Sequence, residues 1–220
     1  MTIAVLGPGG VGGFVAAALA RAGEPVTVVA REETAARIAR DGLRVQSIRL
    51  GSFVVHPPAV AVLEAPVEVL IVAVKAPALE VGLERIQAEP GLVIPLLNGV
   101  EHVAALRDRF GADRVAAASI RIAAERVEPG HVLHTSPLYR IELGPDRVDV
   151  RAFGHRLRAA EIPAVVRERE ADVLWGKLAR LNALALTTAA SGRSIGEVLT
   201  HPRWRLLLEP AISLLWPGVA

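Results

Sequence analysis

The chain has 220 residues, 52% hydrophobic and 22% charged, with a formal charge of only +2. This excludes a disordered acidic or basic tail and allows an ordinary buried core. It contains no cysteine, which excludes disulfides, thiolate nucleophiles, iron–sulfur clusters and cysteine zinc sites and is compatible with a reducing compartment.

Aromatic residues make up 4%, too few stacking platforms to favour single-stranded nucleic acid, so no nucleic-acid partner is expected. At roughly 150 residues per domain, the length allows one large domain or one plus part of a second. The opening Met1-Thr2-Ile3-Ala4-Val5-Leu6 carries no basic leader. No stretch reaches the ~18 uninterrupted apolar residues of a membrane helix, so a soluble, cytoplasmic protein is expected. The six histidines show no HExxH spacing. His131 and His134, three apart in an expected strand, face opposite sides, and no metal site is expected.

In chain order, residues 2–6 read as a buried strand, Gly7–Gly13 as a glycine-rich turn, and 14–22 as a small-residue helix ending at Gly23. Pro25–Ala30 is a second buried strand, and Thr34–Arg40 a short helix stopped by Gly42. Residues 43–46 and 52–55 read as strands with a turn at Gly51. Val67–Val74 is an unbroken apolar strand, 78–87 a helix, Leu92–Leu97 a buried strand and Val103–Phe110 a helix. Val115–Ala124 and Val132–Leu143 have strand composition, Val148–Ala160 helical, Ala164–Arg167 strand, and Ala171–Ala190 helical again. Strands with continuous apolar runs, alternating with helices, imply an α/β fold with a mostly parallel sheet covered on both faces. The switch to helical pattern near residue 168 divides the chain into 1–167 and 168–220.

Gly7-Pro8-Gly9-Gly10-Val11-Gly12 is a GxGxxG turn that follows a strand and opens a helix, the context of a dinucleotide-binding site. Gly7 permits the tight turn, Gly9 the approach of a pyrophosphate, and Gly12 close helix packing. The second strand runs into Arg31, whose guanidinium suits a 2′-phosphate and so NADPH. Glu32 and Glu33 follow and keep an NAD reading open.

Lys75 and Lys177 are the only lysines among 25 basic residues. A partly buried lysine can be tuned to give up its proton, which arginine cannot. Lys75 closes the strand Val67–Val74, at the end of the sheet where ligands bind, or simply caps that strand. Asn98, after the next apolar strand, points into the same crevice by the same rule, although Asn98-Gly99 is also an ordinary turn dipeptide. On the helix 171–190, Leu174, Leu178, Leu181, Ala185 and Thr188 form one stripe with Lys177 at its edge. That placement desolvates the amine in part, unless the side chain snorkels to water.

Together these residues resemble the ketopantoate reductase (2-dehydropantoate 2-reductase) family. The resemblance rests on the glycine turn, Arg31, Val74-Lys75-Ala76, Asn98-Gly99-Val100, Glu128-Pro129-Gly130-His131 and Ile141-Glu142-Leu143-Gly144. It continues through Trp175-Gly176-Lys177-Leu178 and Gly192-Arg193-Ser194-Ile195-Gly196-Glu197. What it implies is a Rossmann-type NADPH-binding domain followed by an all-helical domain, here short. It further implies reduction of 2-dehydropantoate to pantoate on the way to pantothenate and coenzyme A. The family's catalytic lysine falls on Lys177, its substrate-side asparagine on Asn98 and its cofactor-side lysine on Lys75. The glycine-turn residues and Arg31 are the cofactor contacts, to which Asn98 is added.

Two departures qualify what is implied. The family's asparagines four and eight residues after the lysine are Leu181 and Ala185 here, and Asn182 lies about 140° around the helix from Lys177. The helical part also looks truncated relative to the family, where the further chain carries a serine and a glutamate that hold substrate. The rivals are a same-fold reductase or opine-type dehydrogenase with another substrate, and a non-catalytic NADP-binding protein. Trp204, Leu206, Leu207, Leu208, Ile212, Leu214, Leu215 and Trp216 make the last segment apolar. A homodimer through that face is expected, unless it folds back onto the helix 171–190.

Overall fold

A computed structural model describes residues 2–215, with the side chains of Arg180 and residues 212–215 outside the description. The elements in chain order begin with β1 (Ile3–Leu6), α1 (Gly10–Arg21), β2 (Val26–Val29), α2 (Glu32–Asp41), β3 (Leu43–Ser47), β4 (Gly51–Val55) and β5 (Ala59–Val60). They continue through β6 (Val67–Val72), α3 (Leu79–Leu83), β7 (Pro90–Pro95), α4 (Glu101–Phe110), β8 (Ala117–Arg121), β9 (Ala124–Glu128), β10 (His131–His134) and β11 (Arg140–Gly144). α5 (Val148–Ala159), β12 (Ala164–Val166), α6 (Glu170–Ser191), α7 (Ile195–Thr200) and α8 (Pro202–Leu215) complete them.

Five strands form an all-parallel sheet in the order β5-β2-β1-β6-β7. The chain leaves β1 toward β2 and later returns to β6 on the other side of β1, so the strand order reverses between β1 and β6. In open α/β sheets that reversal marks the ligand crevice at the carboxyl ends of the strands. Side-chain alternation sends Ile3, Val5 and Ile71 to one face, with Phe14 and Leu19 of α1, and Ala4, Leu6, Leu70 and Val72 to the other, with Leu83 and Leu106. Both faces are dry, which is why these strands read as continuous apolar runs.

Two long strand-like runs are each divided. Val115–Ala124 becomes β8 and β9, and Val132–Leu143 becomes β10 and β11. β9 and β10 pair antiparallel in a sheet with β3 and β4, whereas β8 and β11 pair antiparallel in a second sheet with β12. The chain crosses between the two sheets around Ala123, whose N–H donates to Ser136 Oγ at 2.8 Å. β6 also stops at Val72, two residues short of the sequence expectation. The helix expected over 78–87 shrinks to a 3₁₀ turn at Ala76–Ala78 and α3.

α6 starts where the sheet ends, and its first turns belong to the sheet's core through Val173 and Leu174. Glu170 at its start is paired with Arg107 of α4. Gly192, left-handed at φ 63°, closes the helix, and Ser194 with Glu197 caps α7 reciprocally. A small separate core of Ala183, Val198 and Leu208, with Leu184 and Trp204 against it, joins α6 to α7 and α8. The segment from Trp204 thus folds back onto α6, while Leu206 and Leu207 stay exposed. Trp216 lies outside the described residues. The stripe expected on α6 is rotated: Ala179, Ala183 and Thr187 are buried, whereas Leu181 and Ala185 are exposed, because α7 and α8 pack on the face next to the one the periodicity selects.

Candidate active site

Two contiguous clefts run along the carboxyl edge of the parallel sheet, about 740 and 880 Å³ in volume, and share Gly9, Gly10, Lys75 and Ala124 as walls. The first is lined by Gly7, Pro8, Gly9, Gly10, Arg31, Thr34, Lys75 and Arg126. The second is lined by Val11, Asn98, Arg121, Lys177, Leu181 and Leu184. Every catalytic and cofactor residue expected from the sequence lines one of them except Gly12, which packs behind the turn.

The glycine turn is fixed by backbone contact. Gly7 has φ +90°, and a Cβ there would meet Val74 Cγ1 at 2.7 Å. A Cβ on Gly12 would sit 2.2 Å from the Gly7 carbonyl oxygen, and one on Gly10 would sit 2.1 Å from the Ala124 carbonyl oxygen. By contrast, a Cβ on Gly9 meets nothing within 4 Å and would project into open space. α1 begins there with no capping side chain and no acid in its first turn. Unpartnered N–H groups and the positive end of the helix therefore face a cleft shaped for an anion, and the turn fits a dinucleotide's pyrophosphate.

Arg31 ends the β2 connection as the N-cap of α2 and is exposed at the rim of the first cleft. Lys75 does not close a strand; it lies three residues beyond β6 and starts the 3₁₀ turn held by Ala78 N–H to the Lys75 carbonyl at 2.8 Å. Ala73 N–H makes the last ladder bond, to the Leu6 carbonyl at 2.9 Å, and beyond it β1 has turned away at Gly7, beside which Val74 packs.

Asn98 follows β7 after buried Leu96 and Leu97 and is exposed. Lys177 of α6 reaches across to it: Nζ donates to Asn98 Oδ1 at 2.8 Å and to the Ile120 carbonyl at 2.7 Å. Next to this pair, His102 is buried, and burial pushes its imidazole below the ordinary histidine value, with the Lys177 cation adding to that and Glu101 opposing it. α6 is helical without interruption, so Leu181 and Leu184 face the cleft and Asn182 is not among its lining residues.

The sequence reading passed over Thr34, Ala124, Glu125 and Arg126 of the first cleft and Arg121 of the second. For Arg121 a signal existed: it is the one charge inside the apolar run Val115–Ala124. Among the described residues there is no cluster of His, Asp and Glu suited to a metal ion, and no helix is long and apolar enough to cross a membrane.

The sequence profile of the ketopantoate reductase PanE/ApbA family matches residues 3–147. The chain is 26% identical over 221 residues to the uncharacterized oxidoreductase YkpB of Bacillus subtilis, covering 97% of this chain and 73% of that protein. It is 31% identical over 206 residues to the 2-dehydropantoate 2-reductase of Caulobacter vibrioides, covering 89% of this chain and 68% of that protein. The crystal structure of 2-dehydropantoate 2-reductase from Geobacter metallireducens superposes with a TM-score of 0.86 at 26% identity, over 99% of this chain and 75% of that one.

Proposed function

Since the chain belongs to the ketopantoate reductase family, and is thus an oxidoreductase that works with a nicotinamide cofactor, we propose that it reduces a 2-oxoacid with NADPH. The substrate this reading favours is 2-dehydropantoate, giving (R)-pantoate for pantothenate and coenzyme A. The observation that carries it is the Lys177–Asn98 pair at the end of a cleft that begins at the glycine turn.

In this reading the free amides of Gly10 and Val11 at the start of α1 hold the pyrophosphate, which Gly9 lets approach, Arg31 holds the 2′-phosphate, and Lys75 contacts the cofactor from the wall common to both clefts. Gly7, Pro8 and Gly12 shape the turn. Bound NADPH supplies a hydride to the substrate's carbonyl carbon. The Lys177 ammonium donates a hydrogen bond to the ketone oxygen, stabilises the negative charge that develops there, and transfers its proton to make the hydroxyl. Asn98 and the Ile120 carbonyl fix the direction of that ammonium, and the Asn98 amide offers a further contact to substrate or cofactor.

A second reading rests on Leu181 and Leu184. They give the cleft an apolar wall beside Lys177, which suits a 2-oxoacid with a more hydrophobic side chain than ketopantoate. One experiment separates the readings: NADPH and NADH oxidation by the purified protein, with ketopantoate beside a panel of 2-oxoacids. Turnover of ketopantoate above the panel supports the first reading, preference for a branched or aromatic 2-oxoacid the second. Cofactor binding without any turnover would leave a non-catalytic NADP-binding protein.

We also propose the division at 167/168 into a cofactor domain and a helical domain, a cytoplasmic setting, and, since the fold-back of α8 buries Leu208 but leaves Leu206 and Leu207 exposed, a homodimer through those two leucines. Sedimentation across a concentration series tests the last; a monomer throughout overturns it.

A further inference from the structure

We propose that Arg121 binds the carboxylate of the 2-oxoacid, and that buried Glu142 holds Arg121 in position to do so. The inference rests on the 2-oxoacid reductase reading above and names the group that recognises the acid.

Arg121 is the last residue of β8, directly after Ile120, whose carbonyl accepts the Lys177 ammonium at 2.7 Å. Consecutive Cα atoms are about 3.8 Å apart, so the fold sets the origin of a guanidinium beside the anchor of the ammonium. A 2-oxoacid carries its ketone and its carboxylate on adjacent carbons. Two cations that line the same cleft offer one donor group to each. Arg121 lines the cleft shared with Asn98 and Lys177, not the one walled by Arg31 and Thr34, which places it toward substrate.

Its positioning is built from the sheet. Arg121 pairs with Arg140, and Ser119 with Glu142, in the β8–β11 register. The Glu142 side chain is only 4% exposed, whereas that of Arg121 is 40% exposed. Three guanidiniums converge on Glu142 Oε1: Arg140 at 2.6 Å, Arg121 at 3.1 Å and Arg167 at 3.3 Å. When Arg121 turns toward an incoming carboxylate, Arg140 and Arg167 still keep the buried acid paired, so the usual cost of stripping a buried charge is not incurred. The planar fork suits bidentate carboxylate recognition.

The test uses oxamate, a non-reducible 2-oxoacid mimic, titrated into protein saturated with NADPH, for wild type, Arg121→Gln and Arg121→Lys. Arg121→Gln is expected to weaken oxamate roughly ten- to a hundredfold with NADPH affinity unchanged, and Arg121→Lys, which keeps the charge and loses the fork, to fall between. If Arg121→Gln does not fold, Arg121→Lys decides alone. The same oxamate affinity in wild type and variant, no oxamate binding to wild type, or a matching loss of NADPH affinity would each overturn the assignment. Wild type that oxidises NADPH with no 2-oxoacid would overturn the reductase reading, and the oxamate titration would still decide Arg121.

Discussion

Lys177 and Asn98 lie 79 residues apart in the chain, yet the ammonium of one is 2.8 Å from the amide oxygen of the other. The contact joins α6 to the loop after β7, and the Arg107–Glu170 pair fixes the start of the same helix against α4. An amine held between Asn98 and the Ile120 carbonyl has a defined direction before any ligand arrives, which is preorganisation for the charge that develops on a ketone oxygen.

From this geometry Lys177→Ala should lower kcat by about two orders of magnitude or more while leaving NADPH affinity nearly intact. Lys177→Arg should also be poor, because its charge remains but its proton does not transfer. Asn98→Ala should lower kcat less, since the Ile120 carbonyl still holds the amine. Steady-state kinetics beside a cofactor titration check this, and wild-type rates in Lys177→Ala would sink the mechanism.

Arg31 should decide the choice of cofactor. Arg31→Ala is expected to weaken NADPH by about 1.5–3 kcal/mol at most, the range for a contact to a charged group, and less at high salt because the residue is exposed. NADH should hardly change. Equal losses for both cofactors, or a wild type that prefers NADH, would reject the role.

The glycine turn, Arg31, Lys75 and Asn98 were legible because each follows from a local rule: a buried strand, then a turn at its carboxyl end. The division of Val115–Ala124 and Val132–Leu143 between two sheets was not, since both halves of each run have strand composition and only the pairing partners differ. The arginine cluster on Glu142 was hidden for the same reason. It depends on the β8–β11 register and on Arg167 beyond β12, which no spacing along the chain encodes. The rotation of the α6 stripe required knowing that α7 and α8 cover one side of it.

Gly9 and Gly10, adjacent in the turn, should respond oppositely to alanine. At Gly10 the new methyl would lie 2.1 Å from the Ala124 carbonyl oxygen and 2.8 Å from Glu125 Cα. Both are backbone atoms, so β9 must move, at about 1–3 kcal/mol. At Gly9 it meets nothing, and the loss of stability should be no more than about 1 kcal/mol, the gap between glycine and alanine at an N-cap. Yet Gly9→Ala fills the space where a pyrophosphate would approach. Gly9→Ala should lose NADPH affinity with little change in melting temperature; Gly10→Ala should lose both. Calorimetry and cofactor titration read the two effects separately, and a Gly9→Ala protein with full affinity would move the phosphate site elsewhere.

Stability should fall on mild acidification through two buried histidines. His134 is fully buried against Phe14 and Tyr139, with ring centroids 4.6 and 4.9 Å away. Ser47 Oγ accepts from the N–H groups of Arg49 and Leu50 at 3.1 and 3.0 Å. Its own hydrogen is therefore directed to His134 Nδ1 at 2.8 Å, and the network assigns a neutral ring whose Nε2–H donates to Ser136 Oγ. Burial lowers the pKa of His134, with Arg49 adding to it and the contact at Ser136 opposing it, and burial likewise lowers that of His102. The ordinary histidine value is about 6.5, so below that pH the unfolded chain binds protons that the folded chain refuses. Stability then rises with pH across this window: it is fully present above about 6.5 and lost progressively as the pH drops toward the lowered folded values. Melting curves from about pH 7.5 down to about 5.5 should show this slope. His102→Leu and His134→Phe, whatever they do to the absolute melting temperature, should each remove part of it. A slope unchanged in the double variant would mean that other groups titrate instead.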